Sequence, residues 1–315
     1  MKKMPSILIA VCVACSAAAV EEHQVQGNYD AADHGTAKVV AQGGGKYRVL
    51  WNVSDEVVEF AGTTPGKGEN PSFDGTVQLD GTQYKLSGRY QDGGTIALSL
   101  TGDKKLNVAM KRVELGSPTL GAKPPEGAIV LMDGSNLDEW ETSPLKWRLH
   151  GNGEAEVANP DLISKRSFGD HKLHLEFRTP FMPSERGQAR GNSGVYLHGV
   201  YEVQVLDSFG LPPADNDCGG IYKIAVPSMN MCLPPLEWQT YDITFHAPRF
   251  DAAGKKTKNA RITVVHNGET IHDDLELPGL TGGAMRDTEE PTGPLKLQHH
   301  RDAVRYRNMW ALPLD

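Results

Sequence analysis

Residues 201–207 read Tyr-Glu-Val-Gln-Val-Leu-Asp. A β-strand sends successive side chains to opposite faces. Tyr201, Val203 and Val205 then share a face fit for a core, and Glu202, Gln204 and Leu206 share the other. That polar face sets an acid beside an amide, the start of a carbohydrate site with a general acid or base. Asp207 follows at the strand end, where a bulge could turn its carboxyl to the same side.

Other strands repeat the arrangement. Leu173, Leu175 and Phe177 alternate with His174, Glu176 and Arg178; Leu295 and Leu297 alternate with Lys296, Gln298 and His300; Val195 and Leu197 alternate with Tyr196 and His198. These outward sets suit sugar hydroxyls and ring faces better than the Lys, Glu, Thr and Ser of an ordinary solvated face. A solvated outer face remains the competing reading for each strand alone, because alternation does not say which of two sheets a strand joins. Arg178 could hold Glu202 or Asp207 ionised if they converge.

Further strands are expected at Gly220–Val226, Gln239–His246, Ala260–His266 and Val304–Leu312, with a hairpin turn at Asn267-Gly268. Eight or more alternating strands and almost no helical pattern predict an all-β two-sheet sandwich or jelly roll over residues 127–315. Residues 20–115 carry shorter alternating runs, with Asp80-Gly81 as a hairpin turn, and predict a small separate β domain. Between them, residues 116–126 are rich in Gly and Pro without any period and read as a linker.

The chain begins as an export signal: Lys2 and Lys3, an apolar run from Ile7 to Ala14, then Ala17-Ala18-Ala19. Cleavage after Ala19 is expected, with a lipid anchor at Cys15 as the rival. Losing two lysines and no acid moves the formal charge from −8 to −10. So acidic a chain argues against nucleic acid as a partner, and no run is long enough to span a membrane. A secreted or periplasmic protein follows. Cys218 and Cys232 remain after cleavage and suggest one disulfide, two buried thiols being the alternative.

Two loops add candidates. Asn192-Ser193-Gly194 follows a Gly-rich loop and could place Asn192 on a substrate; a self-satisfied turn is the competing reading. Residues 207, 215, 216 and 217 could hold Ca²⁺ or another divalent metal, though without calcium-loop spacing. The histidines show no zinc signature.

The strings GAIVLMDGSNLDEWE, LHLEFRTP, GNSGVYLHGVYEVQVLDSFG and GPLKLQHHRDAVRYRNMWALPL resemble, in content and order, the 3-keto-disaccharide hydrolase domain family, long catalogued as a domain of unknown function. The wording is closest in kind to exported, planctomycete-like members. The resemblance runs from about Gly127 to the C-terminus and implies a concanavalin A-like jelly roll. It also implies cleavage of glycosides already oxidised at C3, by C2 deprotonation, elimination and hydration. On that reading Glu202 is base or acid, Asp207 or His300 protonates the leaving group, and Arg178 and His300 meet the C3 oxygen. Gln204 and Gln298 bind hydroxyls, Asn192 and His198 complete the substrate set, and a divalent metal could polarise the keto oxygen. Laminarinases of this architecture carry Glu-x-Asp-x-x-Glu, whereas residues 202–207 read Glu-x-Gln-x-x-Asp. Gln204 cannot replace an acid, which speaks against a two-carboxylate retaining mechanism. The alternative function is a non-catalytic carbohydrate-binding module, since lectins share the architecture; a cell-surface scaffold is a third reading.

Overall fold

The computed structural model describes residues 20–141 and 147–314; the expected signal segment, with Cys15, lies outside them. Eight antiparallel strands between Gly27 and Val113 close into an up-and-down barrel, the first strand pairing with the last at Asn28↔Val113. Each strand alternates, so Val39, Val49, Trp51, Phe73, Ile96 and Met110 fill the interior. Asp80 and Gly81, at φ 49° and 71°, form the tight turn their types favour between paired Leu79 and Thr82.

The remaining strands build a two-sheet sandwich. A larger sheet contains His171–Arg178, Gln239–His246, Ala260–His266, Glu269–Leu277 and Arg305–Pro313. A four-stranded sheet runs in the order Leu162–Phe168, Gly293–Leu297, Ser193–Leu197, Tyr201–Val205. Between them lies a core that includes Leu173, Leu175, Phe177, Val195, Val203 and Leu297, each essentially inaccessible. Their burial is the main favourable contribution, about 1.5–3 kcal/mol for each large apolar side chain. Asn267-Gly268 forms the expected turn, at φ 51° and 88°.

Several expectations need correction. Gly220–Val226 is not a strand but a turn held by isolated bridges Val203↔Ile221 and Ile221↔Ala225. It reads as a strand because it lies along the edge of Tyr201–Val205: the Gln204 amide donates to the Gly220 carbonyl and the Gly219 amide to the Gln204 carbonyl. An otherwise open sheet edge is thereby satisfied.

The stretch read as a linker is packed. Ser117 and Thr119 hydrogen-bond Thr240, Thr119 donates to Asp242, and the Gly121 amide donates to Glu176 at 2.6 Å. It lies over the outer face of the larger sheet. There burial alone would lower His174 and raise Glu176. The ion pairs and hydrogen bonds among His174, Asp242, Glu176, Arg307 and Asn308 outweigh it, holding His174 near 9 and Glu176 near 2.

Cys218 and Cys232 form no bridge. Both are buried free thiols, Cys218 Sγ lying 3.2 Å from the Tyr241 hydroxyl and Cys232 Sγ facing the Leu206 and Leu233 carbonyls.

The barrel rests on the sandwich through residues 181–190. Arg186 donates to the Gln42 carbonyl and side-chain oxygen, and Phe181 packs on the barrel core. Gly43 approaches Ser184 so closely that an added Cβ would lie 2.4 Å from its hydroxyl.

Candidate active site

Glu202 and Gln204 leave the small sheet on the side away from the core, as alternation requires, while Tyr201, Val203 and Val205 enter the core. Loops roof that outer face, so even the polar side chains are hidden: Glu202 is 2% exposed. The result is a cleft of about 150 Å³. Its floor is Tyr196, Glu202 and Gln204; Gln188 and Asn192 form one wall, Tyr222, Gly282 and Gly283 another, and Gln298 and His300 the rim.

Cross-strand pairing sets Tyr196 opposite Glu202 and Gly194 opposite Gln204. Glycine at 194 is needed here, because a Cβ would lie 2.2 Å from Glu202 Oε1. The Tyr196 hydroxyl donates to the Gly282 carbonyl at 3.0 Å and accepts from Gln298 Nε2 at 3.1 Å. Gly283, at φ 71°, leaves room for that hydroxyl, 2.5 Å from where its Cβ would sit. Gln204 Nε2 donates to Gln188 Oε1 at 2.9 Å, and Asn192 Nδ2 donates to the Gln188 carbonyl at 2.9 Å. Asn192 Oδ1 is buried without a partner, an acceptor suited to a ligand hydroxyl.

Burial is the largest influence on Glu202 and pushes its carboxyl up to about 7. The adjoining Tyr196 phenol and the Lys296 charge pull down, and Asp161 adds to the rise. A carboxyl near neutrality at the floor of a cleft can take up and return a proton.

Five expected site residues therefore meet: Glu202, Gln204, Asn192, Gln298 and His300. Three do not. Arg178 belongs to the larger sheet, where it pairs with Glu154 at 2.8 Å and lies over the Trp238 ring. His198 sits at the strand end with φ 53°, which breaks the alternation and turns its ring into the core against Phe245 and His171. Asp207 is buried beneath the loop, its Oδ2 accepting from Arg190 Nε at 2.6 Å; burial pushes its carboxyl up, with Arg190 opposing.

Gln188, Gly282 and Gly283 were not legible as site residues, since they come from loops without period, and Tyr222 lay in a stretch read as a strand whose alternation did not mark it. Tyr196 and Lys296 carried a signal in their strand-face positions.

The donors do not fit a metal. Ca²⁺ takes about 6–8 oxygens, several of them carboxylate, whereas Glu202 is the one carboxylate lining the cleft. In the loop read as a calcium site, Asp207 is committed to Arg190 and Asp215 to Lys223. Among the described residues no three His, Cys, Asp or Glu gather where a metal ion could sit.

The two-sheet sandwich, with an amide-lined cleft over its smaller sheet, is an all-β architecture of the jelly-roll class. Residues 127–312 match the family model described as a 3-keto-alpha-glucoside-1,2-lyase-like domain. The chain belongs to that family, which leaves the barrel outside the matched region. A solved structure described as a "putative glycosyl hydrolase" from Parabacteroides distasonis is 35% identical, with a TM-score of 0.56, covering 60% of this chain and 85% of that one. A second so described, from the same organism, is 18% identical, with a TM-score of 0.46 and coverage of 60% and 95%. Comparison with curated proteins gives no match.

Proposed function

We propose that this protein cleaves the glycosidic bond of 3-keto-glycosides, with Glu202 as the base that removes the C2 proton. The observation that carries the reading is the charge inventory of the cleft. One deeply buried carboxylate, poised near neutrality, is surrounded by amides and phenols, with no second acid among the lining residues. Ordinary glycosidases flank the bond with two carboxylates, roughly 5–10 Å apart. Asp207, spaced in sequence for the second role, is neutralised by Arg190 instead.

A carbonyl at C3 removes the need for a second acid. It acidifies the C2–H bond, so Glu202 can take that proton while the electron pair moves onto the C3 oxygen as an enolate. The enolate collapses: C3=O re-forms, C1=C2 forms and the C1–O bond to the aglycone breaks. The departing oxygen takes the proton held by Glu202, or one from His300 at the rim. Water then adds across C1=C2, oxygen to C1 and hydrogen to C2, giving net hydrolysis; release before hydration leaves an enone, the lyase product. Asn192, Gln204, Gln188 and Gln298 bind ring hydroxyls. The small volume suits a single ring, well below the roughly 300–1,000 Å³ of a general ligand pocket. A separate C3-oxidising enzyme supplies the substrate. We place the protein outside the cytoplasm on the strength of the segment from Lys2 to Ala19. Among the described residues no helix is long and apolar enough to cross a membrane.

The test compares 3-keto-glucosides with their unoxidised parents. Turnover of the keto forms alone is expected, with solvent deuterium entering at C2. Glu202→Gln should lower kcat/KM by about 10²–10⁴ with the melting temperature unchanged or raised. Binding of unoxidised glycans without turnover, and with Glu202→Gln silent, would establish a binding module instead.

A further inference from the structure

The proposed base lies in a site that burial makes hostile to its charged form, and no arginine or lysine lines the cleft. A buried lysine stands two strands away in the same sheet. Lys296 is flanked by core residues Leu295 and Leu297, so its side chain leaves the sheet on the cleft side, yet it is only 3% exposed. Its Nζ stands 3.6 Å from the Tyr196 ring centroid, donates to the Gly283 carbonyl at 2.6 Å and lies 3.5 Å from Asp161 Oδ2. Lys296 pairs across strands with Tyr196, and Tyr196 with Glu202. Three adjacent strands thus present ammonium, phenol ring and carboxyl in one row. The ring face can hold the ammonium by cation–π attraction, and the Gly283 carbonyl it grips belongs to the same turn that receives the Tyr196 hydroxyl.

A buried lysine is costly unless paired, and Asp161, with a side chain 34% exposed, is only a partial partner. We propose that Lys296 is a positioning residue of the cleft, a buried ammonium that clamps the Tyr196 ring and holds Glu202 as a carboxylate, with Asp161 acting against it. The inference rests on the reading of Glu202 as base. Other groups facing Glu202 are Tyr196 and Tyr222, with His300 and Gln298 at the rim. The adjoining Tyr196 phenol also favours the carboxylate.

Two substitutions should move the same quantity in opposite directions. Lys296→Met keeps the aliphatic stem and removes the charge; the acid limb of kcat/KM should move up by about one pH unit, with activity recovered at higher pH. Lys296→Arg should restore most of the wild-type profile. Asp161→Asn should move the limb down, and its site is open enough to tolerate the change if the lysine variants fold poorly. The Glu202 carboxyl is titrated in parallel by carbon-13 NMR, with Glu202→Gln assigning its resonance. Unshifted titration in Lys296→Met and Asp161→Asn would overturn the inference. If the wild-type protein turns over no keto-glycoside, the functional reading fails, while the NMR titration still decides the role of Lys296.

Discussion

Glu202 and Asp207 are five residues apart, share a side-chain type and are both buried, yet they do different things. Glu202 faces a cleft with neutral partners, so burial pushes its carboxyl up to about 7, where it can exchange a proton. Asp207 faces Arg190 and completes a buried ion pair. The base must be ionised to act, so kcat/KM should rise with pH through a midpoint near 7, and a pH–rate profile checks this. Asp207→Asn should leave Arg190 as an uncompensated buried charge and cost about 3 kcal/mol or more. Denaturant melts should show that loss, while kcat per folded molecule stays close to wild type. A collapse of kcat with full stability would restore Asp207 to the chemistry.

Strand alternation explains the floor of the cleft and nothing of its walls. The strands Ser193–Leu197, Tyr201–Val205 and Gly293–Leu297 place Tyr196, Glu202, Gln204 and Lys296 on one face because core residues occupy the alternate positions. The same rule misplaced Arg178, whose strand alternates equally well but lies in the other sheet. It failed for His198 because a positive φ ends the period there. Gly194 is where strand geometry and chemistry meet. Gly194→Ala should push the Glu202 carboxylate from its seat, lowering kcat/KM by at least tenfold and stability by about 1–3 kcal/mol. Steady-state kinetics and thermal melts on one preparation separate the two effects.

In the whole molecule, polar groups are buried well beyond the cleft. His171, His198, His266 and His272 all lie in the sandwich, where burial holds them neutral, His171 near 4 and His266 near 3. The unfolded chain protonates these rings near 6.5, so between that pH and the folded values it binds more protons than the folded one. Stability from this source is complete above about 6.5 and is lost as pH falls toward 4. Melting temperature should drop through that window, and His266→Gln should flatten the drop; an unchanged slope would show that these rings do not set it. The barrel shares in the same architecture: residues 181–192 touch it through Phe181 and Arg186 and line the cleft through Gln188 and Asn192.

Period-two alternation, Asp-Gly and Asn-Gly turns and the family strings were enough to establish an all-β chain, its family and the pairing of an acid with an amide on one polar face. Those features are local: a strand's faces follow from its backbone geometry and a tight turn from its φ requirements. Which sheet each strand joined, which loops roofed the cleft and which of two acids received an arginine are non-local. They depend on contacts between residues far apart in the chain, such as Arg190 with Asp207 and Tyr222 near Glu202. No short window of sequence records those contacts. Both acids are buried, and the arginine that the fold brings to one of them is what separates a proton-exchanging Glu202 from Asp207.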